Sequence, residues 1–169
     1  LKHSWRDLLK AALNPAPKTA NPLRVALVGV GNELNGDDAA GVEVVRRVTA
    51  QRPPPPWLLL LEAGLAPENF GGPLRRFAPD LVVVVDAAWL DEAPGSVAWL
   101  DWQEAGGLSA STHSLPLSML GAYLVHELGC RVALLGIQPA QLEFGQPLSP
   151  AVDVAVEMIV TVCLDAVGR

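Results

Sequence analysis

The run LVVVV at residues 81–85 limits what this chain can become more than any other stretch does. A strand with one wet face alternates apolar and polar residues, whereas a run without a polar member needs cover on both sides. Comparable segments are VALVGV at 25–30, the leucines at 58–61 running into a strand over 58–62, and VALLGI at 132–137. Helical signals lie between them. The spacing predicts a helix from about 38 to 50 before the PPPP break at 53–56, and a short one near 73–77. Pro116 suits a first helical position, and Leu117, Leu120, Leu124 and Leu128 make a stripe behind it. A last helix opens with Ser149 as cap and Pro150 in its first turn. Strands and helices in this alternation predict a doubly wound α/β domain with a mostly parallel sheet, its ligands gathering beyond the carboxyl ends of the strands.

Two segments fall outside that alternation. In SWRDLLKAAL at 4–13, Trp5, Leu8, Leu9 and Ala12 share one helical face behind a possible Ser4 cap, so residues 1–22 read as a helical extension and loop. SVAWLDW at 96–102 reads as an added strand, antiparallel at an edge. One domain over residues 1–169 is expected, because 169 residues suffice for a single core. No apolar run approaches the ~20 residues of a membrane helix, and the charged N-terminal stretch lacks a signal-peptide core, so a cytoplasmic location is expected. A formal charge of -6 argues against a nucleic-acid partner. Cys130 and Cys163 sit in apolar segments without CxxC spacing and are expected to be core thiols.

Residues 29–41, GVGNELNGDDAAG, begin like a dinucleotide loop. Gly29 and Gly31 fit GxGxxG, but the third position is Leu34, and Asp37 and Asp38 would repel a pyrophosphate at the helix start. GK[ST] is absent as well. The two aspartates can simply cap the following helix. Asp86, at the end of LVVVVD, can be a turn former, or it can be a carboxylate buried at the carboxyl edge that needs a cation. His113, in ASTHSLP before the Pro116 helix, can be an ordinary loop residue. The fold nevertheless brings Asp38, Asp86 and His113 to the same edge of one sheet. Two carboxylates and an imidazole form an open oxygen and nitrogen set suited to nickel, zinc or manganese. Competing signatures fail: GxSxG is missing, His126 and Glu127 begin an HExxH that ends in Cys130, and neither Asp38 nor Asp86 sits in an aspartic-protease context.

GVGNELNGDDAAG, GLAPENF at 64–70, VVVVDA at 82–87, PGSV at 94–97, STHSLPL at 111–117 and LLGIQP at 134–139 occur in the order seen in the maturation endopeptidases of nickel-iron hydrogenases. The chain resembles that family over roughly residues 24–160, and PENF, THSLPL and GIQP resemble its hydrogenase 3, formate hydrogenlyase type branch. The resemblance implies a three-layer α/β/α sandwich. It also implies an enzyme that removes a C-terminal extension from the hydrogenase large-subunit precursor once nickel is inserted. Asp38, Asp86 and His113 match the family's metal-contacting positions, the nickel being supplied by the precursor and serving as recognition element. Asp38, rather than Asp37, is the expected catalytic carboxylate, although adjacent acids can exchange roles. Gly31, Asn32, Thr112 and Gln138 are candidates for shaping the site or touching substrate, and Gln138 equally suits plain strand termination. The alternative is a nickel-binding maturation chaperone on the same fold, which would bind the precursor without shortening it.

Overall fold

Side chains alternate across each strand of the sheet, and that alternation sorts the core into two faces. The computed structural model describes residues 4–14, 22–110 and 116–168. Its strands are β1 (Val25–Val30), β2 (Leu58–Gly64), β3 (Leu81–Ala87), β4 (Val97–Asp101) and β5 (Arg131–Ile137), in the order β2-β1-β3-β5-β4. The pairs β1/β2, β1/β3 and β3/β5 are parallel, and β4 runs antiparallel on β5 at one edge. All residues of β1 and β3 are buried, as expected of strands covered on both sides.

Val25, Leu27, Val83, Val85 and Leu135 point to the face covered by α1 (Trp5–Leu13), α2 (Ala40–Gln51) and α5 (Pro150–Val167). Ala26, Val28, Val82, Val84 and Leu134 point to the opposite face, under α3 (Gly71–Phe77) and α4 (Leu117–Leu128). The result is the three-layer sandwich. Leu117, Leu120 and Leu124 are buried as the stripe predicts. Helix α1, started by Ser4 accepting from the Asp7 N–H, buries Leu9, Ala12 and Leu13 in the same cluster as α5. It is part of the core. Both cysteines are buried, and burial pushes the Cys163 thiol up to about 12.

The start of α2 and the cap of α5 differ from expectation for physical reasons, and β2 runs on to Gly64 while α3 starts at Gly71. The helix expected from residue 38 is preceded by a 3₁₀ turn, Gly36–Ala39, and becomes α-helical only at Ala40. Ser149 stands at the cap position of α5, but its hydroxyl is drawn to Asp37 and makes no cap bond to its own helix. Connections from β1 lead outward to β2, whereas β3 lies on the other side of β1. The carboxyl ends of β1 and β3 therefore flank the point where strand order reverses, which is where an open α/β sheet leaves a crevice.

Candidate functional site

The crevice is built on close backbone approach. A Cβ added at Gly41 would lie 2.0 Å from the Val85 carbonyl and 2.5 Å from that of Val30, and one at Gly29 would lie 2.3 Å from the Gly41 carbonyl. Only glycine lets the start of α2 sit this near the ends of β1 and β3. The tight helix contact sought at position 34 is supplied seven residues later. Gly31 has φ +136°, and a Cβ there would come 1.7 Å from the Asp38 carbonyl, so the chain can turn back on itself only at glycine. The Asn32 N–H then donates to Asp38 Oδ2 at 3.1 Å, while the Asn32 side chain accepts from the Leu34 N–H at 3.0 Å.

Adjacent aspartates in the turn have separate duties. Asp37 is fully buried and accepts four hydrogen bonds: from the Ala140 N–H at 2.8 Å, Gln141 N–H at 3.1 Å, Ser149 N–H at 2.6 Å and Ser149 Oγ at 2.8 Å. Its own N–H donates to the Gln141 carbonyl at 3.1 Å. Asp37 fastens the first loop to the segment that leads into α5. Asp38, also buried, lies close enough to Asp86 for its charge to act on that carboxyl.

Asp86 is fully buried near the end of β3. Ser109 Oγ donates to its Oδ2 at 3.1 Å, and its Oδ1 is buried with no hydrogen-bond partner among the described residues. Burial chiefly, and the charge of Asp38 in addition, push the Asp86 carboxyl well above the ordinary aspartate range, against the pull of the Ser109 hydroxyl. Ser109 is a neighbour of Asp86 that the sequence shows only as one member of a Gly- and Ser-rich stretch. The strand it belongs to is an isolated bridge, Ser109 beside Ala88, reinforced by the Trp89 N–H on the Leu108 carbonyl and the Ala110 N–H on the Ala87 carbonyl.

Asp38 and Asp86 thus converge, with Gly31 and Asn32 around them. His113 and Thr112 lie outside the described residues. Among the described residues, no group of three His, Cys, Asp or Glu side chains is placed to hold a metal ion. Gln138 is buried, and its amide is committed: Oε1 accepts from the Leu90 N–H at 2.7 Å and Nε2 donates to the Pro139 carbonyl at 3.2 Å. It anchors the loop that follows β3. His126 is exposed on α4, the surface residue expected from its broken HExxH.

The profile of the hydrogenase maturation protease family matches residues 42–166. This chain belongs to that family. The matched span includes Asp86 and His113 but begins after Asp38. The hydrogenase 3 maturation protease of Escherichia coli is 32% identical over 134 residues, covering 79% of this chain and 84% of that relative. Among solved structures, the nickel-iron hydrogenase maturation protease HycI of Thermococcus kodakarensis superposes with TM-score 0.81 at 28% identity, covering 96% of this chain and 99% of that one. The hydrogenase maturating endopeptidase HybD of E. coli gives TM-score 0.70 at 28% identity, over 85% and 91% of the two chains. As in the maturation proteases it resembles, the sheet is five-stranded, mostly parallel and layered with helices. No helix among the described residues is long and apolar enough to cross a membrane.

Proposed function

We propose that this maturation protease is an endopeptidase that removes the C-terminal extension of a nickel-iron hydrogenase large-subunit precursor after nickel insertion. The observation that carries the reading is the Asp38 and Asp86 pair at the strand-order switch, with a buried Asp86 oxygen that has no hydrogen-bond partner among the described residues. Two carboxylates brought together away from water are costly unless a cation joins them. Their hard oxygen donors, with one imidazole, suit a borderline divalent ion.

His113 is the third member of the proposed set. It follows Ala110 by three residues in the sequence, and the Ala110 N–H donates to the carbonyl of Ala87, the neighbour of Asp86. The nickel belongs to the substrate in this reading. Its charge offsets the two carboxylates on arrival, which makes the loaded metal the recognition element and keeps an unloaded precursor from being cut. Asp38 serves as base: it takes a proton from water as the water oxygen attacks the scissile carbonyl carbon, then returns it to the departing amine nitrogen. Asp37, with its oxygens committed, holds Asp38 in place. Asp86 fixes the metal, and Ser109 orients Asp86.

Asp38→Asn and His113→Ala are expected to fold with unchanged circular dichroism and to leave nickel-loaded precursor at full length by mass spectrometry. Wild-type protein should shorten it and spare the nickel-free form. A precursor that binds the wild-type protein and is never shortened would favour a maturation chaperone instead.

A further inference from the structure

Six large apolar side chains are exposed among the described residues, and five of them lie at the carboxyl end of the sheet. Leu34 follows β1, Leu65 follows β2, Trp89 follows β3, Phe144 follows β5, and Met119 occupies the first turn of α4. Scattered exposed apolar residues need no explanation, but a concentration around one crevice does. Phe144 is 76% exposed, yet its loop is tied down: the Gly145 N–H donates to the Leu34 carbonyl at 2.7 Å. The Gly31 N–H similarly ties the Leu34 loop to the Gly64 carbonyl at 3.0 Å, beside Leu65. These side chains are held out to solvent by a hydrogen-bonded frame.

Charge on four of the rim's own segments has one sign. Segments 31–39, 64–70, 87–96 and 138–149 contain no Lys or Arg. Glu68, Asp91, Glu92 and Glu143 are exposed there, and none of the four forms an ion pair among the described residues. Glu33 differs, being paired with Arg46 of α2. Arg24 and Arg131 stand at the opposite end of the strands.

From this arrangement we infer that the rim is a docking surface for a protein face presenting apolar side chains among lysines and arginines. Resting on the proposed function, we assign that face to the folded body of the precursor, next to the tail that enters the crevice. The rim surrounds the Asp38 and Asp86 pair, so a tail reaching those carboxylates brings the precursor's body onto it. A second copy of this chain would set like charges against each other, and an anionic membrane would be repelled. Apolar anchors supply the affinity, while the acidic residues guide approach and exclude acidic partners.

The test is a titration of fluorescently labelled, nickel-loaded precursor with wild-type protein, Phe144→Ser, Trp89→Ser and the double variant Glu92→Lys, Glu143→Lys, each sample also being followed by mass spectrometry. All the altered side chains are exposed, so thermal unfolding should be unchanged and serves as the folding control. Each serine variant is expected to weaken binding roughly ten-fold. The charge variant should bind about ten-fold more weakly at low salt and lose the salt dependence of the wild type. Binding within two-fold of wild type in all three would overturn the docking surface, whether or not the precursor is cut. So would a change in the protein's own oligomeric state with precursor affinity intact. If the variants lose affinity but wild-type protein never shortens the precursor, the docking surface stands and the proteolytic reading falls.

Discussion

At the amino end of the sheet, charged side chains find neutral partners within a short reach. The Arg24 guanidinium lies 4.4 Å from the centre of the Phe77 ring and donates to the Phe77 carbonyl at 2.7 Å, while its backbone N–H donates to Asp80 Oδ2 at 2.8 Å. The Arg131 N–H closes the group on the Asp80 carbonyl at 2.9 Å. At the carboxyl end, three buried aspartates gather where segments 31–39, 64–70, 87–96 and 138–149 carry no Lys or Arg. One of them, Asp37, is saturated with hydrogen bonds, whereas Asp86 keeps an oxygen with no hydrogen-bond partner among the described residues. Buried charge is therefore not in itself a mark of function. A buried charge whose partners the fold does not supply is a better one.

Asp37→Ala tests the saturated side of that contrast and should have the largest effect. It strips acceptors from three backbone N–H groups and a hydroxyl, and is expected to cost about 4 kcal/mol of stability in urea unfolding. A loss under 1 kcal/mol would mean that water replaces the carboxylate and that the two aspartates differ less than their contacts indicate. Asp86→Asn addresses the incomplete side. Because the folded carboxyl is raised above its unfolded range near 4, the folded state holds the proton more tightly, and that contribution is full below about pH 4. It is lost as pH rises through the folded value, so metal-free wild-type protein should lose stability upward from the ordinary aspartate range. Asp86→Asn should remove that slope and stabilise the metal-free fold at neutral pH, on the order of 2 kcal/mol, while abolishing cleavage. A pH profile matching wild type would show the buried acid to be compensated. Arg47→Met is the smallest probe, taken far from the crevice. Arg47 links Glu43 of α2 to Asp153 and Glu157 of α5, but the two α5 carboxylates are half exposed or more, so about 1 kcal/mol, shrinking with salt, is expected from thermal unfolding. A greater loss than Asp37→Ala would invert the ranking.

Much of this was legible in the residues. Unbroken apolar strands leave few solutions but a covered parallel sheet, and the fold class follows from LVVVV and its counterparts. Asp38 and Asp86 could be placed at one edge because their strands end there. What the sequence hides is partnership. Nothing in GDDAAG distinguishes the fastening aspartate from its neighbour, since the partners of Asp37 lie more than 100 residues away. Gln138 has the same polarity whether it faces a ligand or pins Leu90, and only the fold reveals the second use. Gly41 was equally silent, because a glycine needed for closeness looks like any glycine in a helix until the opposing carbonyls of Val30 and Val85 are located.

The fastening of Asp37 to residues 140–149 also has a consequence in time. During synthesis the first loop emerges early, yet the groups that hold it follow more than 100 residues later. A chain made only as far as α4 has Asp38 without the bonds that fasten its neighbour, so the first loop gains this support only once residues 140–149 have been made.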